Sequence, residues 1–328
     1  MLRWGILGTA KIARERLVPA IHAANNGTLM GIASRSQESA DAFAKTQGIP
    51  LAFSSYDDLL ASDEINAVYI PTPTSTHIEW SKKALEAGKH VLCEKPIALH
   101  AKQIDDVIAA RDASGKVAAE AFMVTYHPQW LKVRELIEGG AIGKLKHIQG
   151  SFAYFNRDPN NMRNKPELGG GGLLDIGVYP TVTSRFVTGQ EPNKAFASVE
   201  RDPEFGTDIF ANCTLRFDGF DASFYVSTQL AARQSMVFHG DEGFIEVNAP
   251  FNAEVFDAVT VTLSNQGHSG SQSFTFNGNM QYTLQVEAFG RAVEGEEVEL
   301  FTLEQSVANQ KAIDALFASG ESGDWAAV

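Results

Sequence analysis

Apolar positions in the first 120 residues alternate between two textures. Short runs read as strands over Trp4–Leu7, Leu29–Ala33, Ala67–Ile70, His90–Cys93 and Val117–Ala121. Between them, apolar residues recur every three to four positions, which predicts helices over Ile12–Ala24, Ser36–Thr46, Thr76–Ala87 and Ala101–Ala113. The punctuation agrees. Ser36 stands at an N-cap, Gly48, Gly88 and Gly115 stand just past helix ends, and Ser55 with Asp58 makes a capping box for a short helix through Leu60. Pro19 interrupts the first helical pattern and is expected to kink or shorten it. Alternation of this kind predicts an α/β fold with a doubly wound parallel sheet of the Rossmann type.

After residue 120 the pattern changes. A helix over His127–Glu138 leads to a strand at Lys144–Phe155, a loop rich in Asn, Pro and Gly, and one more helix. Strand-like runs then crowd together at Phe210–Phe217, Ala222–Gln229, Ser235–His239, Phe244–Val247, Glu254–Leu263 and Ser273–Phe276. The turns Asp218-Gly219 and Asp241-Glu242-Gly243 suit an antiparallel meander. Two helices close the chain, the last capped by Thr302 with Gln305. The expectation is two domains: residues 1–120 for dinucleotide binding, and residues 121–328 as an α+β domain with a large, mostly antiparallel open sheet that binds substrate and joins subunits.

Composition narrows the chemistry. The chain of 328 residues carries a formal net charge of −13, which disfavours nucleic acid and anionic lipid as partners. No apolar run approaches the roughly 20 residues of a membrane span. Cys93 and Cys213 form no CxxC pattern, so reduced thiols and a cytoplasmic setting are expected. The eight histidines show no HxxH or HExxH spacing, and no protein-bound metal is expected.

Three stretches carry candidate chemistry. GILGTAKIA (Gly5–Ala13) lies where the first strand meets the first helix and reads G-x-A-x-x-A from Gly8, a weakened dinucleotide fingerprint. Gly8, Thr9, Ala10, Lys11 and Ile12 would cradle a pyrophosphate on the N–H groups of the turn and helix start. At the end of the second strand, where a NAD site usually holds a carboxylate, the chain has Ser34-Arg35-Ser36. Two hydroxyls and a guanidinium suit a 2′-phosphate, favouring NADP with NAD possible. At the end of another parallel strand, Glu94-Lys95-Pro96 places a lysine that could reach a substrate oxygen and a carboxylate that could orient it or a nicotinamide ribose. The third stretch, LGGGGLLDIGVYP, sets Asp175 and Tyr179 four residues apart, on one helical face. Its glycines would allow positive φ and close approach to nicotinamide and substrate.

Gly8-Thr9-Ala10, ThrProThrSerThrHis at 72–77, Glu94-Lys95-Pro96, HisProGln at 127–129 and the glycine run through Tyr179 occur in one order at characteristic spacings. Together they resemble the Gfo/Idh/MocA family of NAD(P)-dependent oxidoreductases over essentially the whole chain. The nearest branch is the one with dihydrodiol dehydrogenase, xylose dehydrogenase and glucose–fructose oxidoreductase. The resemblance implies that Lys95 is the active-site lysine, with a cis bond before Pro96, that Asp175 is a substrate-side carboxylate and that Tyr179 is the proton donor or acceptor. It implies that Thr72, Pro73 and His77 belong to the loop touching the nicotinamide ribose, that Arg163 and His127 lie on the substrate side, and that the substrate is sugar- or polyol-like. It also agrees with a homodimer or homotetramer formed through the C-terminal sheet. Val124-Thr125 stands where this branch commonly has an aromatic and an Arg, and Thr74 replaces a frequent Asn. Hydride transfer from an alcohol requires its proton to leave. Free Tyr has a pKa of about 10, and an ammonium beside it favours phenolate, so Lys95 would both activate Tyr179 and polarise the substrate oxygen. A glycosidase using bound NAD, and a non-catalytic nucleotide sensor, remain as alternatives.

Overall fold

The computed structural model describes residues 1–267, 269–278 and 280–328. The chain forms two compact units, Met1–Met123 with Met280–Val307 and Val124–Asn279 with Ala308–Val328.

In the first unit six strands lie in the order β3-β2-β1-β4-β5-β6: β1 (Leu2–Leu7), β2 (Gly27–Ala33), β3 (Leu51–Phe53), β4 (Ala67–Ile70), β5 (His90–Cys93) and β6 (Ala118–Glu120). Every pairing is parallel. Helices cover such a sheet on both faces, which is why β4 and β5 read as unbroken apolar runs; Val68, Ile70, Val91 and Cys93 are fully buried. Strand order reverses between β1 and β4, the switch point where ligands of doubly wound sheets bind. Strand β3 has only three half-buried residues, too few to leave a periodic signal. Pro19 enters its helix behind a π turn over Ala13–Leu17, with α-helix following over Val18–Ala23. The wider turn removes the i−4 hydrogen bond that a proline cannot make.

The expected division near residue 120 differs from the observed units, because Met280–Val307 clusters with the Rossmann sheet. The cause is apolar packing: in the helix Gln281–Val293, the Phe289 ring lies 5.4 Å from that of Trp4. Asn26 donates to the Glu287 carbonyl at 2.8 Å, and Leu303 joins the core around β4 and β5.

The second unit holds a nine-stranded sheet: β7 (Leu145–Phe155), β8 (Lys194–Arg201), β9 (Asp208–Arg216), β10 (Asp221–Ser227), β11 (Gln229–Gly240), β12 (Gly243–Val247), β13 (Thr260–Asn265), β14 (Ser271–Thr275) and β15 (Ala326–Ala327). The order is β14-β13-β12-β11-β7-β10-β9-β8-β15. The expected meander is broken at its centre. Strand β7 inserts between β11 and β10 and pairs parallel with β10, the other neighbours being antiparallel. Along β9, Ala211, Cys213 and Leu215 are buried while Asn212 and Arg216 are exposed, the signature of a sheet covered on one face only. The stretch expected as a strand over 254–263 begins instead with a 3-10 turn at Ala253–Val255. The final helix has its capping box: Thr302 Oγ1 accepts from Gln305 N at 3.3 Å, and Gln305 Oε1 accepts from Thr302 N at 2.9 Å.

Candidate active site

The carboxyl ends of β1, β2, β4 and β5 form one edge of the parallel sheet, and most of the expected cofactor residues stand there. Gly8 closes the turn after β1 with φ +108, and its N–H donates to the Ala33 carbonyl at 2.8 Å. A Cβ at Gly8 would meet Tyr56 Oη at 3.2 Å, so the turn is narrow as well as strained for any other residue. Thr9, Ala10 and Ile12 are half-buried beside it, whereas Lys11 is exposed and 3.9 Å from Glu15. At the end of β2, Ser34 is buried and its N–H donates to the Phe53 carbonyl. Ser36 Oγ caps the helix Gln37–Gln47 through Ser39 N at 3.3 Å, so one of the two expected hydroxyls is already engaged. Arg35 is exposed and acts on Tyr56: burial raises that phenol, and the guanidinium charge opposes the rise. A glycine cradle with an exposed guanidinium beside it fits a dinucleotide carrying a 2′-phosphate.

At β4 and β5 the expected residues are tied to one another. Thr76 Oγ1 donates to Thr72 Oγ1 at 2.9 Å. His77 is 1% exposed, and its ring bridges two loops, with Nδ1 2.9 Å from the Pro96 carbonyl and Nε2 2.6 Å from the Thr72 carbonyl. Burial lowers its pKa to about 4 against the pull of both carbonyls, so the neutral ring donates to one of them. His77 therefore fixes the loop at Thr72 to the segment after Lys95. That Lys95–Pro96 bond is cis. Tyr69, which sequence reasoning missed, donates its phenol to Glu94 Oε1, and Glu94 Oε2 accepts from Lys95 N at 3.2 Å.

Behind this loop lies Glu120, 2% exposed, which accepts from Ile97 N at 2.8 Å. Burial raises its pKa to about 7, with Ser306 and the Ile97 N–H opposing. A carboxyl raised from about 4.5 to about 7 stabilises the fold fully below the lower value and loses that contribution as pH rises through the upper one. The loss is on the order of 3 kcal/mol. Glu120→Gln keeps an acceptor for Ile97 N without the charge. Its unfolding free energy relative to the wild type is expected to improve between pH 5 and pH 8, measured by denaturant melts. Parallel pH curves for the two proteins would refute the assignment.

The second unit holds the remaining residues. Arg163 Nε donates to Asp175 Oδ2 at 2.7 Å, and Tyr154 Oη donates to the same oxygen at 2.6 Å. Burial and the Asp175 charge hold the Tyr154 phenol far above its ordinary value, so Tyr154 is a permanent neutral donor. Asp175 lies in a π turn over Leu173–Gly177, and Tyr179 is the second residue of the helix Val178–Thr188, with Pro180 third. The Tyr179 ring is 5% exposed and sits 5.5 Å from both Phe152 and Phe251, which stack on each other at 4.9 Å. His127 is fully buried and caps the helix Pro128–Glu138, its Nδ1 accepting from Gln129 N at 3.2 Å.

The glycine run is explained by its neighbours. A Cβ on Gly170 would lie 2.5 Å from the Arg163 carbonyl. Gly171 has φ +118, and a Cβ there would overlap Asp208 Oδ1. The glycines let the loop fold onto its own backbone and onto a buried carboxylate. Among the described residues, no group of three or more His, Cys, Asp or Glu side chains converges as a metal site, and no helix is long and apolar enough to cross a membrane.

A doubly wound parallel sheet with a glycine turn at its switch point, followed by a large, mostly antiparallel sheet, defines a dinucleotide-binding protein of two units. Residues 2–122 match the model of an oxidoreductase family with an NAD-binding Rossmann fold, and residues 130–246 match the Gfo/Idh/MocA C-terminal domain. The chain belongs to the Gfo/Idh/MocA oxidoreductase family. It is 38% identical to an uncharacterized oxidoreductase of Rhizobium meliloti over 100% of this chain and 99% of that one. It is 33% identical to a D-xylose 1-dehydrogenase (NADP(+)) of Haloferax volcanii over 98% of each chain. Among solved structures, a 3-ketoreductase from Actinomadura kijaniata in complex with NADP and TDP-benzene superposes with a TM-score of 0.90, at 29% identity over 97% of both chains. The chain is thus a dehydrogenase or reductase that uses NAD(P).

Proposed function

We propose that the enzyme moves a hydride between NADP and a sugar- or polyol-like alcohol or carbonyl compound. The observation that carries this reading is the fixed carboxylate. Asp175 is held by Tyr154 and Arg163 four residues before a tyrosine whose ring two phenylalanines immobilise. Bound nicotinamide supplies or accepts the hydride. Tyr179 exchanges the hydroxyl proton with the substrate, Lys95 polarises the substrate oxygen, and Asp175 keeps Arg163 in place on the substrate side. Arg35 takes the 2′-phosphate, in line with NADP in the Haloferax enzyme's name and in the Actinomadura complex. The uncovered face of the nine-stranded sheet is the surface we assign to pairing of subunits.

The test is a screen of aldoses, polyols and dihydrodiols with each cofactor, read at the absorbance band of reduced nicotinamide. Net NADPH formation with at least one sugar supports the reading. Hydrolysis of a glycoside with no net change in cofactor would replace it by the glycosidase alternative. In the same assay Arg35→Ala is expected to weaken NADP binding roughly 10- to 100-fold and NAD by less than about 3-fold. Equal losses for both would return Arg35 to the solvent.

A further inference from the structure

Asp208 is the first residue of β9 and is 2% exposed. Its carboxylate points at the start of the helix that carries Asp175 and Tyr179, where Oδ2 accepts from Leu173 N at 2.6 Å. The helix start has no side-chain cap of its own, because Gly172 occupies that position. Asp208 therefore does from 35 residues away what a local Ser or Asp usually does, and places negative charge at the positive end of the helix. The fit is close on both sides. Gly171 has no Cβ to collide with Oδ1, and a Cβ on Gly172 would stand 3.3 Å from Oδ2. The next link also leads to the site: Asp175 N donates to the Gly171 carbonyl at 3.1 Å, and Gly171 N donates to the Arg163 carbonyl at 2.9 Å.

We propose that Asp208 is a positioning residue, which locks the glycine turn and the π turn so that Asp175 and Tyr179 are held in their working places. The inference rests on the catalytic reading of Asp175 and Tyr179 given above. The groups that face Asp208 are Arg201 on β8, Tyr154 on β7, Cys213 further along β9, and the N–H groups of Gly172 and Leu173. Burial raises its pKa to about 7, with those N–H groups and Arg201 opposing. The ionised form accepts with full charge at the helix start, whereas the protonated form turns one oxygen into a donor. Turnover is expected to rise as pH passes upward through neutrality.

The experiment compares Asp208→Asn, Asp208→Ala and Tyr179→Phe in the full chain. Asp208→Ala should lower kcat roughly 10- to 100-fold with KM for NADP within about 3-fold, and should speed amide hydrogen exchange at residues 173–179. Asp208→Asn, which keeps an acceptor without the charge, should restore the slow exchange and bring kcat back to the level the wild type shows below pH 7, while losing the step near pH 7. Equal loss in the two Asp208 variants, or unchanged exchange in Asp208→Ala, overturns the proposal. Wild-type turnover in Tyr179→Phe would remove the catalytic reading instead, and the exchange data would still decide the part played by Asp208.

Discussion

Replacing Tyr179 by Phe is expected to lower kcat by roughly 10²–10⁴ while the dissociation constant for NADP stays within about 3-fold, and Lys95→Ala should do the same. Both substitutions keep named contacts in place. Phenylalanine retains the ring that contacts Phe152 and Phe251, so the change is confined to the hydroxyl, and a melting curve reads what that hydroxyl gives to the fold. The backbone around Lys95 is fixed by other groups: His77 against the Pro96 carbonyl, Glu120 on the Ile97 N–H, and Tyr69 on Glu94. These anchors remain in Lys95→Ala, and a melting curve of the variant separates lost chemistry from a loosened loop. Pre-steady-state hydride transfer separates the chemical step from cofactor release. Wild-type rates in both variants would remove the assigned mechanism.

What the chain reveals on reading depends on how far apart the cooperating residues lie. Strand–helix alternation, the turn at Gly8 and the segment Glu94-Lys95-Pro96 are local, so periodicity and spacing expose them. The residues that steady the candidate catalytic groups were invisible for the opposite reason. Tyr69 reaches Glu94 across neighbouring parallel strands, Glu120 reaches Ile97 from β6, and Asp208 reaches Leu173 from β9. Each looks on its own like an ordinary strand residue. Strand β8 and the return of Met280–Val307 to the first unit escaped for the same cause, since both are set by long-range packing of patterns that suit several partners. His127 shows how a motif and a fold can load one residue twice: the motif suggests the substrate side, and the structure gives its Nδ1 a helix cap, which spacing does not reveal.

The two units also share a construction. In each, a buried carboxylate accepts a backbone N–H two residues from a candidate catalytic side chain: Glu120 on Ile97 beyond Lys95, Asp208 on Leu173 before Asp175. Both carboxyls are raised to about 7 by burial. Each loop is thus held through its backbone, at the cost of stability once the carboxyls ionise.

That construction makes Gly171 the most sensitive glycine in the run. Gly171→Ala is expected to destabilise the protein by roughly 3–5 kcal/mol, from backbone strain at φ +118 and from loss of a charge-assisted hydrogen bond when the new Cβ displaces the Asp208 carboxylate. Gly189→Ala is the matched control. Its φ is +64 and a Cβ there meets nothing within 4 Å, so only the left-handed penalty of about 1 kcal/mol applies. Guanidinium melts of both variants measure the difference. Adding Asp208→Ala to Gly171→Ala should recover part of the loss, because the colliding oxygen is gone while the strain remains. A loss at Gly171 no larger than at Gly189 would mean that the loop can move aside, and that the glycines answer to something other than the buried carboxylate.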